Sequence, residues 1–130
     1  MAGRAALGKH LVAELWVRDP RTLDDAAGLE QALLAAAERG RFTVLDRKIH
    51  AFSPHGVTGI LLLSESHLAI HTWPEYGYAA VDVFSCSGAP WEALEELKER
   101  LDVEHIEVRE LDRGLLRSVG AGSLRLARHR

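Results

Sequence analysis

The stretch LSESHLAIHTWPEYGYAAVDVFSC, from Leu63 to Cys86, indicates two strands joined by a turn. The runs His67–Trp73 and Tyr78–Phe84 are rich in apolar, β-branched and aromatic residues, which favour strands. Between them, Pro74–Gly77 combines proline and glycine, the residues most typical of tight turns. The stretch therefore predicts an antiparallel hairpin near the middle of the fold.

The position of this turn predicts which reactive side chains are neighbours. If the turn centres on Tyr76, Ser66 faces Cys86 across the hairpin, and facing residues lie about 5 Å apart. His71 lies further along the same strand, about 16 Å from Ser66 and on the opposite face. The backbone would have to bend at Glu65-Ser66 to bring His71 to the Ser66 hydroxyl.

The remaining sequence surrounds this hairpin with further strands and two helices. Predicted strands are Leu7–Val17, Arg41–Phe52, Val57–Leu63 and Val103–Leu111, and predicted helices are Leu23–Arg39 and Pro90–Leu101. The order β-α-β-β-β-β-α-β with short central links predicts an α+β fold, a two-layer sandwich. We expect one mostly antiparallel sheet with helices on one face. The basic end, residues 121–130, is predicted to be disordered.

Composition narrows the class of protein. The chain has 130 residues, 27% of them charged, with a net charge of −3, which disfavours nucleic-acid binding. The single cysteine cannot form an internal disulfide, which favours a reducing compartment. No run approaches the roughly 20 apolar residues needed to cross a membrane. We therefore expect one cytoplasmic domain over residues 1–130, with neither nucleic acid nor membrane as partner.

The residues alone leave the chemistry of the central stretch open. A serine hydrolase requires a Ser-His-Asp set, and the G-x-S-x-G elbow is absent around Ser66. Zinc binding by His67, His71 and Cys86 is conceivable, but the two histidines would be neighbours on a helix, whereas this stretch predicts a strand. We therefore predict no metal site. Each side chain also has a structural explanation, such as a serine in a turn or a cysteine in the core.

At these residues the chain resembles the bacterial and archaeal S-adenosylmethionine decarboxylases, small pyruvoyl-dependent enzymes of polyamine synthesis. The likeness is carried by SESHLAIHTWPEYGYAAVDVFSC, by GKHLVAEL near the start and by FSPHGVTG upstream of the hairpin. It extends in order from Gly8 to Gly114, including the helices. The resemblance implies a homodimer that associates sheet to sheet, with active sites at the subunit interface.

The resemblance also implies that the protein makes its own cofactor. The peptide bond between Glu65 and Ser66 is expected to break, giving chains 1–65 and 66–130 and converting Ser66 to a covalently bound pyruvoyl group. Pyridoxal phosphate is then not required. Thr58, where the family more often has serine, is expected to support the acyl shift. His71 matches the histidine that transfers a proton during this processing.

For turnover, the resemblance implies that S-adenosylmethionine forms a Schiff base with the pyruvoyl group, which accepts the electrons left by carbon dioxide. Cys86 matches the acid that returns a proton to that carbon. The product would be the aminopropyl donor for spermidine synthesis. The residues that match the substrate pocket are Phe52, Leu68, Trp73 and Glu75.

Two alternatives remain at this point. The same pyruvoyl machinery could act on another amino acid, such as ornithine or arginine, because the processing residues do not specify the far end of the substrate. An unprocessed homologue could instead serve as a binding or regulatory subunit. The presence of Glu65, Ser66, His71 and Cys86 disfavours that second alternative, since an inactive partner would tolerate their loss.

Overall fold

Residues 5–116, which the computed structural model describes, form a six-stranded sheet and two α-helices. The predicted disorder of residues 121–130 lies outside this range. The elements in chain order are β1 (Ala6–Val17), a 3₁₀-helix (Pro20–Asp24), α1 (Ala26–Arg39), β2 (Val44–Ala51), β3 (Val57–Leu63), β4 (Ser66–Trp73), a second 3₁₀-helix (Pro74–Tyr76), β5 (Tyr78–Ser85), α2 (Pro90–Arg100) and β6 (Val103–Leu115).

The strands lie in the order β2-β3-β4-β5-β1-β6, and each neighbouring pair is antiparallel. Three tight links generate the run from β2 to β5, as the predicted hairpins require. The first strand, β1, is inserted between β5 and β6. The predicted α+β fold, with a mostly antiparallel sheet and helices on one face, is confirmed.

One hydrophobic core fills the space between the sheet and both helices. Strand alternation sends every second residue into it, for example Leu11 and Leu15 of β1, which are 0% exposed. In α1, apolar residues recur at helical spacing, and Leu29, Ala32, Leu33 and Ala36 are buried. Full burial of one such leucine contributes roughly 1.5–3 kcal/mol, so this core is the main stabilising element.

The start of α1 differs from the prediction. A helix was expected from Leu23, whereas residues Pro20–Asp24 form a 3₁₀-helix and α1 begins at Ala26. Asp25 is the N-cap, and its side chain accepts a hydrogen bond from the Gly28 N–H at 3.0 Å. A capping carboxylate satisfies a backbone donor that the first turn leaves unpaired, which fixes this boundary. The strand bounds also shift, because β2 begins only at Val44 and β6 continues to Leu115.

The predicted hairpin register is wrong by one residue. Trp73 pairs with Tyr78 and His67 pairs with Phe84, so the same register places Ser66 opposite Ser85 rather than Cys86. The cause is the link Pro74–Gly77, an even number of residues, which centres the hairpin between two residues rather than on Tyr76. Gly77 closes this link with a left-handed φ of 62° and donates its N–H to the Pro74 carbonyl at 3.0 Å.

The face of the sheet opposite the core, here called the open face, has no helix over it within residues 5–116. It mixes aromatic, polar and charged side chains with exposed aliphatic ones, including Ile60 at 43% and Leu62 at 52% exposure. Its central strands β1, β3, β4 and β5 present His10, Val12, Glu14, Trp16, Thr58, Ile60, Leu62, His67, Ala69, His71, Trp73, Tyr78, Ala80, Asp82 and Phe84. The candidate functional side chains are concentrated on this face and at its two ends.

Candidate active site

The turn between β3 and β4 carries the Glu65–Ser66 peptide bond and contains one residue, Glu65, in an unfavourable backbone conformation. Only Ser64 and Glu65 link the paired residues at the ends of the two strands. Glu65 has a φ of 60°, a left-handed conformation that costs a residue with a side chain roughly 1–2 kcal/mol. The Ser64 N–H donates to the Thr43 carbonyl at 3.0 Å and anchors the turn. The predicted cleavage bond therefore follows a strained residue in a fixed loop.

Ser66 and Cys86 are neighbours despite the shifted register. The Cys86 backbone N–H donates to the Ser66 Oγ at 3.2 Å, and Ser66 is only 6% exposed. Cys86 lies just beyond the end of β5 and is exposed. The side chain of Ser85 donates to the carbonyl of Ser87 and holds the loop that follows β5. We call Glu65, Ser66 and Cys86 together the cleavage turn.

A cavity of about 330 Å³ opens beside Cys86. Lys9 and Asp112 contribute its charged wall, with the Lys9 Nζ at 2.8 Å from the Asp112 Oδ1. Hydrogen bonds to Asp112 and then Glu110 raise the pKa of Lys9 above its usual value. The ammonium therefore stays charged, but its two carboxylate partners compensate it.

At the opposite end of β4, Thr58 and His71 form a hydrogen-bonded pair. They are direct partners across β3 and β4, and the Thr58 Oγ1 lies 3.0 Å from the His71 Nδ1. The hydroxyl of threonine offers the same hydrogen-bonding group as the serine more usual in the resembling family. The pair fixes the orientation of the imidazole ring on the open face.

These two residues line a cavity of about 460 Å³, here called the histidine cavity. Phe52 and Trp73 form aromatic walls that are 51% and 42% exposed, and Glu75 adds a carboxylate. The volume is within the range of small-molecule sites. The structure thus brings together five predicted side chains: Phe52, Thr58, His71, Trp73 and Glu75.

Two predicted site residues lie away from this cavity. Leu68 is 0% exposed and belongs to the core beneath the helices, on the other face of β4 from His71. Ser66 begins β4, about 16 Å from His71 along a regular strand. The bend imagined near Glu65-Ser66 is absent between Ser66 and Trp73, where β4 stays in register with both neighbours. Within one chain, the cleavage turn and the histidine cavity are therefore separate.

A polar cluster on the open face was not predicted from the sequence. His10 Nε2 lies 3.0 Å from Asp82, and Arg113 lies 3.0 Å from His10 Nδ1. Because arginine can only donate, Nδ1 accepts and Nε2 carries the proton shared with Asp82. His67 stacks on Phe84 at 5.6 Å between ring centroids. Burial, with a smaller contribution from His10, lowers the pKa of His67, so its imidazole stays neutral at pH 7.

A row of aromatic rings continues from the histidine cavity across the open face. Tyr78 lies 5.4 Å from Trp73 and 5.5 Å from Trp16, measured between ring centroids. The Tyr78 hydroxyl donates to the Glu14 carboxylate. Burial, followed by this hydrogen bond, raises the pKa of Tyr78 to about 12. The phenol therefore remains protonated throughout the physiological range and acts as a fixed donor.

Two further findings concern sites of other kinds. Within residues 5–116, no group of three or more His, Cys, Asp or Glu side chains is arranged to hold a metal ion. None of the helices in that part of the chain is both long enough and apolar enough to span a membrane.

The fold and these side chains define a two-layer α+β protein with reactive groups at both ends of one central strand. The chain belongs to the S-adenosylmethionine decarboxylase family, whose model matches residues 9–114. This match confirms the family suggested by the hairpin residues.

Named relatives and a solved structure agree with this assignment. The S-adenosylmethionine decarboxylase proenzyme of Methanococcus maripaludis strain C7 is 46% identical over 112 residues, covering 85% of this chain and 92% of that protein. The proenzyme of Thermotoga petrophila is 44% identical over 117 residues, covering 88% and 90%. The crystal structure of adenosylmethionine decarboxylase from Aquifex aeolicus has a TM-score of 0.81 at 31% identity, covering 88% of this chain and 97% of that one.

Proposed function

We propose that this protein is a self-processing, pyruvoyl-dependent decarboxylase of S-adenosylmethionine. The observation that carries the proposal is the cleavage turn, in which Ser66 follows the left-handed Glu65 and its Oγ contacts the Cys86 N–H at 3.2 Å. The proenzyme names of the relatives support a precursor of this kind. The single cysteine, a free thiol, fits a cytoplasmic location.

Processing uses the chain's own side chains. The Ser66 Oγ attacks the Glu65 carbonyl carbon, the amide C–N bond breaks, and an ester with a free Ser66 amine results. A base then removes the Ser66 Cα proton, and the Cβ–O bond breaks to release Glu65 as a carboxylate. Water replaces the nitrogen of the remaining dehydroalanine and ammonia leaves, giving the pyruvoyl group. His71 transfers the proton and Thr58 supports the acyl shift.

The separation of the two site regions supports a homodimer in which each protomer completes the other's site. His71 lies about 16 Å from Ser66 in its own chain, too far for proton transfer. A two-fold axis between open faces would set the histidine cavity of one protomer against the cleavage turn of its partner. Exposed Ile60 and Leu62 supply apolar surface for such a contact.

In turnover, the pyruvoyl group would supply a carbonyl that accepts the substrate amine and draws off the negative charge left by carbon dioxide. Cys86 delivers a proton to the substrate carbon, a role that suits a thiol near neutral pH. Phe52 and Trp73 offer faces for the adenine and for the sulfonium cation. Glu75 accepts hydrogen bonds from the ribose hydroxyls. The product is decarboxylated S-adenosylmethionine, the aminopropyl donor for spermidine synthesis.

Intact-mass spectrometry of the purified protein tests the processing step. We expect two fragments, the second beginning at residue 66 and carrying a pyruvoyl group in place of serine. Ser66→Ala should remain uncleaved, and Cys86→Ala should cleave but turn over poorly. His71→Ala should stop at the ester, which hydroxylamine cleaves. A single full-length species in the wild type after long incubation would refute self-processing.

A carbon-dioxide-release assay with S-adenosylmethionine, ornithine and arginine tests the substrate. Release from S-adenosylmethionine alone supports the proposal. Release from either amino acid in its place would assign the same machinery to a different substrate. Cleaved protein that releases carbon dioxide from none of them would contradict the decarboxylase assignment for these substrates.

Mixed dimers test whether the site is shared between protomers. Co-expressed chains carrying Cys86→Ala and His71→Ala would form one doubly impaired site and one intact site if the site is shared. We expect the His71→Ala chain to be cleaved in the mixture and about half of the wild-type activity per heterodimer to return. An absence of both effects, with heterodimers verified by differential tags, would place both functions in one protomer.

A further inference from the structure

His55, which is not among the predicted site residues, contacts Glu75, the carboxylate of the predicted substrate pocket. His55 lies in the link between β2 and β3, and Glu75 lies in the 3₁₀-helix between β4 and β5. The His55 Nε2 is 3.1 Å from the Glu75 Oε1. Both side chains are about two-fifths exposed, at 41% and 40%, so the pair is accessible from solvent. The contact joins two loops at the same end of the sheet.

Both loops are held firmly enough to define this contact. The Phe52 N–H donates to the Gly56 carbonyl at 2.8 Å, and the Gly56 N–H donates to the Asp24 carboxylate at 2.8 Å. On the other side, the Gly77 N–H caps the turn that carries Glu75, and the Val17 N–H binds the Gly77 carbonyl at 2.9 Å. Neither backbone is free to move His55 away from Glu75 without breaking hydrogen bonds.

His55 and Glu75 also lie at the boundary between two cavities. His55 and Glu75 line the histidine cavity and, equally, a neighbouring cavity of about 490 Å³. Charged groups of the first 3₁₀-helix and its end, Arg21, Asp24 and Asp25, line that second cavity. A flexible glutamate at such a boundary could turn toward either side, and a donor at a fixed position would remove that freedom.

We propose that His55 is a positioning residue for substrate binding, because its Nε2 contacts one oxygen of Glu75 and leaves the other available to the nucleoside in the histidine cavity. The inference rests on the proposed function, which gives Glu75 the ribose hydroxyls. A pair of vicinal hydroxyls needs a carboxylate in one orientation, so His55 contributes to selection of the nucleoside part of the substrate. It takes no part in proton transfer to the reacting carbon.

The test combines binding and kinetics in three variants. Calorimetry with 5′-methylthioadenosine, a nucleoside without the reactive amine, measures binding apart from chemistry. We expect His55→Ala to weaken this binding and to raise KM for S-adenosylmethionine by roughly fivefold to tenfold, with kcat little changed, because one partly exposed polar contact that orients the Glu75 carboxylate is lost. His55→Gln, which keeps a side-chain N–H donor, should lie within about twofold of the wild type.

A double-mutant cycle separates this role from a structural one. If His55 acts through Glu75, adding His55→Ala to Glu75→Ala should cause no further loss of binding. Equal binding by His55→Ala and wild type would overturn the inference, as would failure of His55→Gln to restore binding. The glutamine variant keeps the test decisive even where the alanine variant folds poorly. Wild-type protein that neither binds the nucleoside nor releases carbon dioxide would instead contradict the proposed function.

Discussion

Replacing Thr72 with valine should destabilise the protein by removing a hydroxyl that links three parts of the fold. Thr72 is 7% exposed. Its Oγ1 donates to the Leu23 carbonyl at 2.7 Å and accepts from the Val57 N–H at 2.8 Å. It thereby joins β4 to the start of β3, both of which line the histidine cavity, and to the first 3₁₀-helix, which lines the neighbouring cavity.

The size of the effect follows from the groups left behind. Valine matches threonine in shape but leaves one buried carbonyl and one buried N–H without their partner. Each unsatisfied group costs about 1–3 kcal/mol, so the expected loss is about 2–4 kcal/mol after local relaxation. For a domain of this size, about 3 kcal/mol corresponds to a fall in Tm of roughly 10 °C.

The measurement is urea unfolding followed by circular dichroism, in a Ser66→Ala background that keeps the chain continuous. Thr72→Ser is the matched control, because it keeps the hydroxyl and loses one methyl group, worth about 1 kcal/mol. Thr43→Val, at an exposed position, controls for the substitution itself. The reasoning would be refuted if Thr72→Val were as stable as Thr72→Ser, since the hydroxyl would then contribute nothing.

Three further outcomes are expected. Gly59→Ala places a methyl carbon 2.8 Å from a buried leucine side chain and should cost about 1–3 kcal/mol in urea unfolding; an unchanged midpoint would contradict the packing. Because the folded pKa of Tyr78 is raised to about 12, its contribution to stability is complete below about pH 10 and is lost as pH rises through 12. Ultraviolet titration should show a tyrosine ionising near pH 12 that Tyr78→Phe removes. In NMR titration, His67 should protonate below its usual pKa of 6.5, because burial disfavours the charged ring; a pKa at or above 6.5 would contradict this cause.

The sequence predicted element types well, because periodic burial is a local property. Apolar residues alternate in β1 and recur at helical spacing in α1 because both elements face the same core. The six predicted strands and two predicted α-helices are therefore present in the predicted order. Boundaries were less predictable, since they depend on individual contacts such as the Asp25 cap. The hairpin register failed because the turn was centred on Tyr76, whereas the 3₁₀-helix and its left-handed Gly77 place the centre between Glu75 and Tyr76, a detail that composition does not specify.

The candidate site was predictable as residues but not as an arrangement. The resemblance supplied Ser66, His71 and Cys86, but it did not supply the cavities that lie beside Cys86 and His71. The His55–Glu75 contact joins loops distant in the chain, so no local pattern contains it. Alternate residues of β4 face opposite sides of the sheet, and Leu68 lies on the side that faces the core. Sequence likeness alone does not convey which side a residue faces.

The insertion of β1 between β5 and β6 determines how the two pieces remain associated after a cut between residues 65 and 66. The first piece would supply β1, α1, β2 and β3, and the second would supply β4, β5, α2 and β6. Pulling them apart breaks the β3–β4, β1–β5 and β1–β6 ladders together. The severed chain should therefore behave as an interleaved pair of peptides whose unfolding midpoint depends on concentration, because refolding has become a bimolecular event.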